Sequence, residues 1–115
     1  MNVLVVINAS PWGGSLAVTA LRLVRGLLAD GVAIDSVHFR RDGVYHALPG
    51  RAAAAGTPDL NAAWRELSGR HGFPLLLCAS AAVRRLDSGA PPGFREAGLP
   101  ELLERMGSCD RVVAF

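Results

Sequence analysis

The feature that most constrains this chain is a rhythm of short apolar runs separated by helix-length amphipathic stretches. Residues 2 to 7, NVLVVI, are almost unbroken valine, leucine and isoleucine. That composition suits a strand covered on both faces, as strands of a parallel sheet are. Strands are also expected at VAIDSVHF (32–39), FPLLLC (73–78) and DRVVAF (110–115). In the second, strict alternation would put Val32, Ile34, Ser36 and His38 on one face and Ala33, Asp35, Val37 and Phe39 on the other. Between the runs, Ser15 can cap a helix from Leu16 to Asp30 that Gly31 ends. Thr57 can cap a second helix with Pro58 at its first position and a stripe of Leu60, Ala63, Trp64 and Leu67. ASAAVRRL (79–86) reads as a third helix, and a fourth follows Pro100 with the stripe Leu99, Leu102, Leu103 and Met106. RRDGVYHALPG turns away from the second strand, RAAAAG (51–56) reads as a loop, and DSGAPPG (87–93) is the strongest loop signal.

This alternation predicts an α/β fold: a single layered domain over residues 1–115, with a mainly parallel sheet of four or five strands flanked by helices and joined by right-handed crossovers. With 115 residues, half of them hydrophobic, the chain can bury one core without disulfides or a metal. No apolar run approaches the ~18 residues of a membrane span, and the N-terminus lacks a basic leader region, so a cytoplasmic protein with no membrane partner is expected. All twelve basic residues are arginine, spread along the chain, with a net charge of +2. A nucleic-acid footprint is not indicated. The two cysteines and three histidines show no metal-ligand spacing, and no metal or cofactor is expected.

In open parallel sheets, reactive groups gather beyond the carboxyl ends of the strands. Three segments reach that edge: Asn8 to Ser15, Arg40 to Gly50, and Cys78. The first, NASPWGGS, sits between strand and helix but matches neither dinucleotide nor P-loop spacing, so its glycines need only serve a tight helix entry. Cys78 ends the LLLC run where a helix begins. A thiol there feels the positive end of the helix dipole, which favours the thiolate, and Arg84 and Arg85 add positive charge. The same residue could equally continue the core, because free cysteine is among the most buried residue types. The residues alone leave both open. Cys109 precedes the last strand, at the opposite edge. A strand of about six residues at ~3.3 Å each separates the two by roughly 20 Å, beyond the reach of a disulfide. Cys109 therefore reads as structural. His38 lies in a strand and His71 at a helix end, leaving His46, beside Tyr45, as the one histidine placed to meet Cys78, although an ordinary surface-loop role suits it better. Glu101 and Glu104, with Arg105, are explained by a solvated ionic helix face.

Several segments together do more than suggest a fold. They are F-x-R-x-G-V-Y at 39–45, Trp64 before an HG turn, a cysteine followed by small residues and RR at 78–85, and the closing CDRVV-x-F. With these the chain resembles, nearly end to end, the DsrE/TusD family of sulfur-relay proteins. The resemblance implies an α/β fold and a sulfurtransferase activity. Cys78, at the family's carrier position, would take sulfur as a persulfide from a donor protein and pass it to an acceptor protein thiol, in tRNA thiolation or in dissimilatory sulfur metabolism. It also implies no cofactor, assembly with related subunits into a hetero-hexamer, and a site-lining role for Gly43 and Tyr45. LDSGAPPGFREAG looks shorter than the matching stretch of typical members. Two other readings stand beside this: a non-catalytic assembly subunit with Cys78 buried, and a small nucleotide-binding module using SPWGGS.

Overall fold

The computed structural model describes residues 1–49, 59–87 and 89–115. In chain order the elements are β1 (Asn2–Ile7), α1 (Leu16–Ala29), β2 (Ala33–Phe39), a 3₁₀ helix (Arg41–Ala47), α2 (Leu60–His71), β3 (Leu75–Cys78), α3 (Ala79–Arg85), β4 (Arg95–Ala97), α4 (Leu99–Ser108) and β5 (Arg111–Ala114). The five strands form one sheet in the order β4-β3-β2-β1-β5, and each neighbouring pair is parallel. All strand C-termini therefore point to one edge, which carries the loop before α1, the 3₁₀ helix and the start of α3.

The two faces of the sheet are covered unequally. On one, Val3, Val5 and Ile7 of β1 pack with Val37, Phe39, Leu75 and Leu77 under α1, α2, the 3₁₀ helix and α3. The helix α1 buries Ala17, Ala20, Leu21 and Val24, an i, i+3, i+4, i+7 stripe, and α2 buries Leu60, Trp64 and Leu67. Phe39 lies at the aromatic centre of this layer, with its ring centroid 5.8 Å from Trp64, 5.7 Å from Phe94 and 5.2 Å from His46. The other face carries a small cluster in which Leu4 and Val6 meet Leu102 of α4.

The structure departs from the expectations in informative places. Alternation in β2 breaks at Asp35: Val3 pairs with Ile34 but Leu4 with Ser36. This bulge leaves one residue unpaired and lets Ile34 join Val37 and Phe39 in the main core, while Ser36 and His38 follow the opposite phase. The α4 stripe is not a core stripe. Only Leu102 is buried, whereas Leu99, Leu103 and Met106 are exposed, since among the described residues nothing covers that side of α4. A fifth strand, β4, occurs within a stretch where no strand was expected, since its Arg-Glu-Ala sequence is polar and it sits at the sheet edge. Ser15 begins α1 by position, yet its side chain makes no cap hydrogen bond. Thr57, Pro58 and the RAAAAG segment lie outside the described residues. The start of α2 is capped by Asp59, whose carboxylate accepts the Ala62 N–H at 3.1 Å.

Candidate functional site

Cys78 is both the last residue of β3 and the N-cap of α3. The chain must leave the sheet there, because the small residues Ala79, Ala81 and Ala82 let the next turn coil directly onto the strand end, with Ala81 and Ala82 buried against the core. The thiol is half-buried. Its Sγ lies 3.5 Å from the Ser80 hydroxyl oxygen. Burial pushes the thiol pKa up, but the Ser80 hydroxyl, the Ala81 backbone N–H and the Arg40 guanidinium together outweigh it, leaving the thiol below its ordinary range. The shift favours the thiolate, which is the nucleophilic form.

Cys78 opens into a cavity of about 290 Å³. One wall is Ala97 and Gly98, between β4 and α4, and another is Leu99 and Leu102 of α4. His38 and Arg40 come from the end of β2. Strand register explains the last pair. Phe39 is opposite Leu77, so the next residue along, Arg40, lies beside Cys78.

Arg40 is held by its backbone: its N–H donates to the Ile7 carbonyl at 2.9 Å, and its own carbonyl accepts the Gly43 N–H at 2.8 Å. Gly43 is required there, since a Cβ at this position would run into the Ile7 carbonyl oxygen. His38 is 4% exposed, and its Nε2–H donates to the Ser36 hydroxyl at 3.0 Å, which in turn donates to Asp35. Burial, helped by the positive charge of Arg105, lowers its pKa to about 4, so His38 is a neutral wall at physiological pH.

Several expectations about the site need correction. His46 is not a surface-loop residue and does not meet Cys78. It is 1% exposed, with Nε2–H donating to the Ala9 carbonyl at 3.1 Å and Nδ1 without a partner among the described residues. Burial lowers its pKa to about 4. The histidine in the cavity wall is His38, a strand residue of β2. Arg84 and Arg85 are not the positive charges beside the thiol. Arg85 pairs with Asp42 at 3.0 Å, tying α3 to the 3₁₀ helix, and Arg40 takes the role at the cysteine. Gly43 and Tyr45 are not in the cavity wall. The Tyr45 ring packs at a tilt against Trp12, centroids 5.3 Å apart, joining the 3₁₀ helix to the loop before α1. Glu101 forms a bidentate pair with Arg95 at 2.8 and 2.9 Å and a second pair with Arg105, which also reaches Asp35 at 3.1 Å. The ionic face of α4 therefore braces β4 and β2, and with them two walls of the cavity.

Cys109 sits at the opposite edge, beside the start of β1, with its Sγ 3.9 Å from the Asn2 side-chain nitrogen. Burial, then the negative charge of Asp35, pushes its thiol up. The two cysteines thus differ both in place and in the sense of their shift.

Known proteins resemble this chain over nearly its whole length. The chain is 35% identical to "Sulfurtransferase TusD" from Cronobacter sakazakii, in an alignment of 128 positions that covers 100% of both proteins. The crystal structure of ychN protein from E. coli superposes with a TM-score of 0.86 at 22% identity, covering 99% of this chain and 98% of that one, a likeness of fold. The model of the DsrE/DsrF-like family matches residues 1–115, and the chain belongs to that family.

Proposed function

We propose that this protein is a sulfurtransferase of a sulfur relay and that Cys78 carries the sulfur as a persulfide. The observation that supports it most is the pairing of a lowered thiol with a cavity at the strand–helix junction, while Cys109 is raised at the far edge. The Cys78 thiolate attacks the outer sulfur of a donor protein's persulfide. The donor S–S bond breaks, its electron pair leaves on the donor thiolate, and Cys78 retains S–SH. Discharge is the same exchange run onward: an acceptor thiolate takes the outer sulfur and Cys78 leaves as the thiolate. No electrons are gained from or lost to a third party, so the cycle calls for no redox cofactor. Such chemistry suits the reducing cytoplasm, where thiols stay free.

The partners in this reading are a donor protein, an acceptor protein and related subunits of a hetero-hexamer. The open side of α4 is the surface offered to those subunits. Leu103 is 58% exposed there beside Leu99 and Met106, and Val112 is exposed on the edge strand β5. Apolar positions gathered on one helix face fit burial between subunits.

The test is intact-mass measurement after incubation with a persulfidated donor. Wild type and Cys109→Ser should gain one sulfur atom per chain, and Cys78→Ser should gain none while eluting as a folded protein. A folded Cys78→Ser protein that still accepts and passes on sulfur would leave an assembly role standing and remove the carrier assignment.

A further inference from the structure

A persulfide on Cys78 extends the side chain by one sulfur, about 2 Å beyond Sγ. The cavity beside it, about 290 Å³, is far larger than the ~10–15 Å³ that one water molecule needs on the same measure, so the terminal sulfur has room inside. Its walls are mostly apolar, and an anion there needs a fixed positive partner. His38 does not supply one, because burial keeps it neutral. Arg95 and Arg105 are committed to Glu101 and Asp35, and Arg85 to Asp42. Arg40 alone lines the cavity as a cation, and among the described residues it has no carboxylate partner. Its backbone is pinned at both N–H and C=O, and strand register sets it beside Cys78.

We infer that Arg40 receives the negatively charged terminal sulfur of the Cys78 persulfide, which turns into the cavity between β3, β4 and α4. This rests on Cys78 being the carrier. After loading, the Cys78–S–SH group gives its proton to solvent, and the resulting Cys78–S–S⁻ pairs with the Arg40 guanidinium. The proton returns to the outer sulfur before the acceptor thiolate attacks, so nothing is oxidised or reduced in the holding step. Arg40 thereby selects for sulfur held as an anion.

The experiment follows alkylation by iodoacetamide, a neutral reagent, across pH for the empty and the sulfur-loaded protein, with each adduct assigned by mass. Arg40→Gln should move the midpoint of Cys78 alkylation upward in both forms, with a loss of about tenfold in rate below the midpoint, the equivalent of one pH unit. Arg40→Lys, which keeps the charge, should recover most of that loss. Arg84→Gln, at an exposed position on α3, should change neither form. A shift confined to the empty protein would mean that Arg40 serves only the thiolate, and the inference would fall. Unchanged profiles in both forms, or no recovery with lysine in a protein of unaltered melting temperature, would also overturn it. Wild type that loads on Cys78 with any of these results keeps the carrier assignment and loses only Arg40. Wild type that never loads on Cys78 removes both.

Discussion

Gly43 lies so close to the Ile7 carbonyl oxygen that no side chain fits between them. That same oxygen accepts the Arg40 N–H, so one atom at the end of β1 pins the residue beside Cys78 and limits how closely the 3₁₀ helix can approach. Because the obstacle is backbone, a Cβ cannot be absorbed by a rotamer change. Gly43→Ala should destabilise the protein by about 3 kcal/mol, the upper part of the overpacking range, measured by urea unfolding. It should also slow sulfur loading in the fraction that remains folded, by displacing Arg40.

The two thiols should separate on titration. Cys78 is lowered below its ordinary range, while Cys109 is raised by burial and by Asp35. With limiting iodoacetamide, the first adduct should form on Cys78 and at lower pH than the adduct on Cys109. Peptide mapping of the singly alkylated protein checks this. Adducts appearing first on Cys109 would contradict the electrostatic assignment of both sites.

His46 and His38 should make the fold acid-sensitive. Each has a folded-state pKa of about 4 against an ordinary value of 6.5. The unfolded chain therefore binds more protons between those values, and stability must fall as pH drops from 6.5 toward 4. Above 6.5 both states hold neutral imidazole and the contribution is level. Full protonation of His46 would cost on the order of 3 kcal/mol. Unfolding midpoints measured across this window should decline in wild type and decline less in His46→Leu. Glu101, held down to about 2 by Arg95, acts in the same sense but below about pH 4.5, outside most of the window.

Leu103→Asp tests the open side of α4. The residue is exposed within the chain, so monomer stability should change by less than about 0.5 kcal/mol. Association with related subunits should be lost, read by light scattering of co-purified complexes. Unaltered assembly would place the subunit contact elsewhere.

How much of this was legible beforehand depends on what each residue's position obeys. Val3 to Ile7 and the α1 and α2 stripes obey local periodicity, and their burial follows from it. The strand that holds Arg95 carries no such pattern, since its pairing comes from β3 and its brace from Glu101, contacts set by tertiary structure. Cys78 could be placed at the carboxyl edge because it ends an apolar run. Its neighbours could not, because strand order decides them: Arg40 stands beside Cys78 only because β2 is next to β3. Nearness in sequence points to Arg84 and Arg85, which lie on the same helix but outside the cavity. His46 departs from its sequence context because polar loop residues are usually solvated, whereas Gly43 here lets the 3₁₀ helix approach the end of β1 and four of its residues, Gly43, Val44, His46 and Ala47, are buried.

The bulge at Asp35 divides β2 into two segments that are out of step. Before it, Ile34 belongs to the thick helical layer, and after it Ser36, His38 and Arg40 follow a phase set by one supernumerary residue. The strand thereby works as a parity counter. Removing a single residue there would leave its length and hydrophobicity nearly unchanged yet transpose the core and cavity assignments on one side of the deletion. Unlike the loops around it, this position cannot absorb a change of length.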